Sequence, residues 1–220
     1  MITLIYFWQI KPKTIIKAIL LMATQRRSLR NQPGVSFFKL LGTGKGETFT
    51  PLDANSKRWG ILVTIDESQV HNFDNSTVIK SWRKIATSEY SASLQPISSH
   101  GFWSKKQPFT PTMQNWNGKV VAITRARIKW LQNFKFWKAV PPVTESLHKS
   151  PGLIGAIGIG EAPIGLQGTF SIWEDGASLR EFAYKGAAHA NAITATAENN
   201  WYAEELFARF AVITESGSLL

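Results

Sequence analysis

Pro33-Gly34-Val35-Ser-Phe-Phe-Lys-Leu-Leu41-Gly42-Thr43-Gly44 has a counterpart later in the chain, Pro151-Gly152-Leu153-Ile-Gly-Ala-Ile-Gly158-Ile159-Gly160. In each, a Pro-Gly turn closes one element and opens an apolar strand that finishes on glycines. Each turn follows a polar stretch headed by leucine, Leu29-Arg-Asn-Gln and Leu147-His-Lys-Ser. The next elements also match. Gly60-Ile-Leu-Val-Thr-Ile-Asp66 and Gly168-Thr-Phe-Ser-Ile-Trp-Glu174 are equally long strands ending in an acid, where a carboxylate favours the start of a helix. Helices follow, with Val70 and Phe73, then Leu179 and Phe182, spaced i, i+3 for one buried face.

Upstream of each turn the order is again strand then helix. Ile2–Ile10 reads as a strand and 13–27 as a helix burying Ile15, Ile19 and Met22. In the second half 119–128 reads as a strand, and 134–148 as a helix interrupted at Pro141-Pro142. The last strand of the second half falls at 209–214; its first-half equivalent lies somewhere in 90–109. A segment rich in Ser, Pro, Gly and Gln, 88–117, is expected to hold the linker and a loop over a cavity.

The fold class expected is therefore α+β, two tandem ferredoxin-like halves (βαββαβ twice) forming an intrachain α+β barrel. Residues 1–110 make the first half with its linker and 118–217 the second, in one integrated domain. The two sheets are expected to face each other across a cavity, with helices outside.

Composition narrows the chemistry. The chain has 220 residues, 44% of them hydrophobic, with nine Trp and no Cys. This is enough apolar material for a substantial core. Absence of Cys excludes disulfides, thiolate haem ligation, Cys-based zinc sites and Cys nucleophiles. The net charge of +10 points to acidic partners, nucleic acid or an anionic membrane surface. The basic residues are scattered, and no nucleic-acid-binding motif appears. Neither Met1–Trp8 nor Thr14–Ala23 reaches the roughly 18 apolar residues of a spanning helix. No signal-peptide pattern follows, and a cytoplasmic location is the default.

His189 is the leading candidate for a metal ligand. It lies in Phe182-Ala-Tyr-Lys-Gly-Ala-Ala-His189-Ala-Asn-Ala-Ile193, where small neighbours allow a flat macrocycle close to a helix and Ile193 shares the histidine's face. A structural histidine on an Ala-rich helix is the alternative. His71 reads as exposed, His148 as a helix C-terminal residue, and His100 as a lid residue. Arg125 and Arg127 share a strand face with Val121 and Ile123. Arg125, further inside, is the better candidate to pair a propionate or polarise bound oxygen, the alternative being a strand end reaching solvent. Gly42-Thr-Gly44-Lys-Gly46 fits no phosphate-loop spacing and reads as a turn. Glu204-Glu205 reads as surface charge at a helix end.

Phe136-Trp-Lys-Ala-Val-Pro-Pro142 and Trp201-Tyr-Ala-Glu-Glu-Leu-Phe-Ala-Arg-Phe210 are specific strings. With Phe37–Gly44, Arg58-Trp59, Ile157–Glu161 and Phe170–Trp173, they resemble the spheroidene monooxygenase family over nearly the whole chain, least in 74–117. The resemblance implies a monooxygenase that places a keto oxygen in an acyclic carotenoid. It would use haem b, molecular oxygen and an electron donor such as a ferredoxin. It makes His189 the expected iron ligand and gives membrane precedence over nucleic acid as a peripheral partner. Other haem chemistry on the same barrel, such as aldoxime dehydration or peroxide use, and a cofactor-free lipid-binding module are the alternatives.

Overall fold

The computed structural model describes residues 1–46, 53–128, 144–161, 166–185 and 202–219. Its strands are β1 (Ile2–Ile10), β2 (Val35–Gly44), β3 (Ala54–Ile65), β4 (Ala86–Gly101), β5 (Val120–Ile128), β6 (Leu153–Gly160), β7 (Leu166–Trp173) and β8 (Tyr202–Ser216). Its helices are α1 (Ile15–Arg30), α2 (Val70–Asp74), α3 (Thr77–Arg83), a helical stretch α4 over 144–148, and α5 (Gly176–Lys185). The strands close into a barrel in the order β1-β3-β2-β6-β7-β5-β8-β4, every pair antiparallel.

Each half keeps the ferredoxin-like arrangement, with its first strand between its third and fourth and its second strand outermost. The repeat extends to single hydrogen bonds. Gly34 and Gly152 both lie in the left-handed region, at φ 73° and 76°, which glycine adopts without a Cβ penalty. Gly34 O accepts from Asp66 N at 3.0 Å, and Gly152 O from Glu174 N at 2.8 Å. Gln32 N donates to Leu29 O at 3.3 Å, and Ser150 N to Leu147 O at 3.1 Å. The two Pro-Gly turns are thus the same local structure, built twice.

Two seams join the halves. β4 and β8 pair from Ser91↔Ser216 to Gly101↔Leu206. β2 and β6 meet over Gly42↔Gly160, Thr43↔Ile159 and Gly44↔Gly158. Gly42 and Gly44 are therefore strand residues, where a turn was expected. β4 is the last strand expected in 90–109, beginning earlier at Ala86, with Tyr90, Ala92 and Leu94 pointing inward; the linker expected within 88–117 is the stretch after Gly101. Pro96 sits at a register irregularity of the β4–β8 ladder, a position that tolerates its missing N–H.

The expected cavity between sheets is filled. Phe7, Phe170, Tyr90, Phe37, Phe109 and Phe210 converge with Ile5, Leu62, Ile123 and Ile157 inside the barrel. Phe7 meets Phe170 edge-on with centroids 5.1 Å apart, and Phe109 meets Phe210 at 4.9 Å. Eight strands enclose a width that bulky inward side chains such as these can fill. Strand alternation sends the opposite residues outward. Leu4, Tyr6, Trp8, Ile61 and Val63 form a second core beneath α1 and α3. Val120, Ala122, Ala156 and Trp173 form a smaller one with Leu147 and Leu179.

α1 buries Ala18, Gln25 and Leu29, with Ile15, Leu21 and Met22 partly packed. Ile19, expected on the buried face, is 52% exposed. The contact stripe runs 15-18-22-25-29, which turns position 19 to solvent.

Phe170 touches both aromatic neighbours at the barrel centre. Phe170→Ala is expected to lower unfolding free energy by about 4 kcal/mol, measured by denaturant titration.

Candidate active site

β5 carries chemistry on two opposite faces. Its inner face continues Val121 and Ile123 with Arg125, which is buried. The guanidinium pairs through Nη1 with Glu204 of β8 and through Nη2 with Glu161 Oε1 at 3.4 Å. Glu161, just past β6, also binds Lys39 Nζ of β2 at 2.5 Å and accepts from Trp103 Nε1 at 2.6 Å. The Trp103 ring lies 5.8 Å from Arg125 Cζ and 5.7 Å from Lys39 Nζ. Two cations and two carboxylates thus interlock around one indole at one end of the barrel. Arg125 Nε is buried without a hydrogen-bond partner.

The network pins the strap that leaves β4. Gly101 has φ 89°, and a Cβ there would lie 2.2 Å from Glu205 O. This close approach lets Phe102 N donate to Glu205 O at 2.7 Å. Ser104 and Lys105 adopt φ of 55° and 60°, uncommon for residues with a Cβ. Their amides donate to Glu204 at 2.9 and 2.7 Å. Further on, Thr112 and Met113 amides both donate to Pro96 O, at 3.0 and 3.1 Å. Trp103 and Phe109 enter the barrel core from this strap. An open cleft of about 360 Å³ remains beside it, between Ser36, Phe37, Thr64, Pro96 and Pro108.

At the opposite end Arg58 is also buried. It donates to Gly44 O at 3.0 Å, Leu219 O at 3.1 Å and Thr43 Oγ1 at 3.3 Å. Burial pushes its guanidinium below the usual arginine value.

The outer face of β5 is different in kind. Ala122, Thr124 and Ala126 lie beside Thr169 and Ser171 of β7 and Ala156 and Gly158 of β6, in the rows Ala156–Ser171–Ala122 and Gly158–Thr169–Thr124. The result is a flat floor of small residues roughly 10 Å across three strands. The equivalent face of the first half carries Tyr6, Trp8 and Leu40. Trp173, stacked on Phe182 at 5.4 Å, borders the floor with Leu147 and Leu179.

Arg125 therefore points inward, with Nη1 and Nη2 engaged by carboxylates. Arg127 is exposed. His71 and His100 are exposed, and His148 Nε2 lies 3.0 Å from Gly46 O. His189 and Ile193 lie outside the described residues. Among the described residues no group of three or more His, Cys, Asp or Glu is placed to hold a metal ion. Glu204, expected at a helix end, is a strand residue of β8; alternation with Leu206, Ala208 and Phe210 gives it the inward face. Glu161, Lys39 and Trp103 were not among the expected site residues.

Burial alone would raise the Glu204 carboxyl. The amides of Lys105 and Ser104 and the Arg125 guanidinium outweigh burial and hold it below the usual glutamate range. A carboxylate depressed in the folded state stabilises fully above its unfolded pKa, about 4.3, and loses that contribution as pH falls through the folded value. The Arg125 and Glu204 side chains are only 5% and 8% exposed, so solvent screens them little. Glu204→Gln is expected to cost about 3 kcal/mol and to flatten the acid limb of a stability–pH curve. Hydrogen exchange should quicken at the Ser104 and Lys105 amides.

No protein-family model matches the chain. Spheroidene monooxygenase of Rhodobacter capsulatus is 40% identical over 202 residues, 90% of this chain and 83% of its own. The enzyme of that name from Cereibacter sphaeroides is 34% identical, covering 89% of this chain and 61% of that protein. The Rubrivivax gelatinosus enzyme is 32% identical, covering 84% and 72%. Among solved structures, an aldoxime dehydratase (OxdRE) in complex with butyraldoxime has a TM-score of 0.59 at 10% identity, over 96% of this chain and 79% of that one. A second aldoxime dehydratase reaches 0.60 at 8%, over 96% and 80%. At such identity the structural likeness speaks for the fold alone. Sequence identity of 40% along most of a relative's length says more: the chain is a monooxygenase and belongs to the spheroidene monooxygenase family.

Proposed function

We propose that this monooxygenase introduces a keto oxygen into an acyclic carotenoid or a similar long apolar substrate, with haem b held through His189. The observation that carries this reading is the 40% identity to an enzyme named for spheroidene. The packed barrel interior does not fit a porphyrin. We place it instead on the outer face of β5, β6 and β7, where Ala122, Thr124, Gly158 and Thr169 carry short side chains against which a flat macrocycle could lie. Haem bound there would supply activation of molecular oxygen, with electrons from a donor protein such as a ferredoxin.

In this reading the His189 imidazole would hold the iron, and Ile193 would contribute to binding the cofactor. The floor would contribute a bed of short side chains from which bound cofactor excludes water, which strengthens any charge interaction at the reacting centre. Arg125 lies on the opposite face of β5, so its part is positioning. It fixes Glu204, Glu161 and, through them, the strap at the barrel mouth. A substrate of this class resides in lipid, so the protein meets it at a membrane surface.

Protein expressed with haem supplied should show a Soret band, and His189→Ala should lose it while keeping its circular dichroism. Thr169→Phe, at a partly exposed position of the floor, should lower haem retention at a cost of about 1–3 kcal/mol in stability. Cells accumulating an acyclic carotenoid should gain a ketone when the wild-type chain is present. A colourless protein from haem-replete cells would overturn the cofactor. A Soret band without any ketone would point to other haem chemistry on this barrel.

A further inference from the structure

α1 is held to the barrel by one face. Ala18, Gln25 and Leu29 are buried; Gln25 accepts from Trp82 Nε1 at 2.8 Å and donates to Val78 O at 3.4 Å. The opposite face is unlike an ordinary solvated helix surface. Ile16 is 73% exposed, Leu20 57% and Ile19 52%. At about 100° per residue these three, with exposed Ala23, share one arc of the helix. Lys17 and Arg26 border that arc on either side. Lys13 precedes it, and Arg27 and Arg30 follow in the last turn. From Lys11 to Gly34 there is no acidic residue to offset these cations.

We propose that α1 is a docking surface for an anionic lipid bilayer. The helix would lie flat on the surface, its isoleucines and leucine among the acyl chains and its lysines and arginines at the headgroups. Exposed aliphatic side chains ringed by cations suit that boundary, since long basic side chains reach outward while their stems stay in apolar surroundings. Among the described residues no helix is long and apolar enough to cross a membrane, so α1 lies on the bilayer and does not span it. A nucleic acid would use the cations and leave Ile16, Ile19 and Leu20 in water. A second copy pairing through this face would bring two all-cationic surfaces together without a carboxylate between them. Docking through α1 does not depend on haem; the proposed substrate gives it its purpose.

The test is flotation with vesicles of phosphatidylcholine plus phosphatidylserine, against vesicles of phosphatidylcholine alone, without carotenoid present. The wild-type chain should float with the mixed vesicles and release at high salt. Lys17→Gln/Arg26→Gln/Arg27→Gln should weaken binding about a hundredfold, at about fivefold per cation. Ile16→Ser/Ile19→Ser/Leu20→Ser should also abolish flotation. All six positions are exposed, so both variants should keep the wild-type melting temperature. Binding unchanged by either variant, or equal binding to phosphatidylcholine alone, overturns the proposal. It is also overturned if the serine variant turns a dimer into a monomer by light scattering. An absence of vesicle binding, with charge-dependent binding to duplex DNA in its place, overturns it too. Vesicle binding without ketone formation in cells would leave α1 standing and sink the substrate reading. Ketone formation in detergent without vesicle binding would do the reverse.

Discussion

Closing eight strands on themselves fixes the volume they surround, and that volume must be filled by whatever side chains point inward. In this chain the inward set is aromatic and branched: Phe7, Phe170, Tyr90, Phe210 and the isoleucines between them. Once the interior is committed to packing, chemistry is left with the barrel ends and the outer faces. At one end an arginine balances two carboxylates and anchors a strap; at the other an arginine is satisfied by backbone carbonyls and the C-terminal tail. Arg58 finds an acceptor for each of its three nitrogens, while Arg125 leaves Nε unpaired and offsets its burial with two carboxylates, as placing charge out of water requires.

The same alternation decides the two outer faces. On the first half, large residues such as Tyr6 and Trp8 fill the space under α1 and α3, with Trp8 stacked on Trp82 at 5.3 Å. On the second half, alanine, glycine, serine and threonine occupy the corresponding positions. Side-chain size, on strands of the same topology, separates a face of bulky aromatic residues from one of short side chains.

Much of this was readable in the letters. The Pro-Gly turns, the paired strands ending at Asp66 and Glu174 and the helices after them stand in the expected order, because each rests on local signals: turn chemistry, β-branching and i, i+3 spacing. What escaped depended on distant partners. β4 falls in the window expected for a strand, but serine and a proline hide its bounds, which its long pairing with β8 sets. Glu204 looked like surface charge because the start of β8 was set too late; from Tyr202 onward its inward parity follows. The role of Gly42 and Gly44 depends on a seam with Gly158 and Gly160 that no local pattern announces. The expected cavity is taken up by the size of the inward residues, Phe7, Tyr90, Phe170 and Phe210 among them. His189 and Ile193 fall outside the described residues, so that part of the site rests on sequence alone.

A barrel assembled from two identical chains would have to carry every substitution twice, once on each side of its symmetry axis. Here one polypeptide supplies both halves, joined through the strap after Gly101. The halves are therefore free to specialise: one displays a basic helix to the outside, the other strips its sheet down to small residues. Covalent linkage has turned a symmetric object into one with a front and a back.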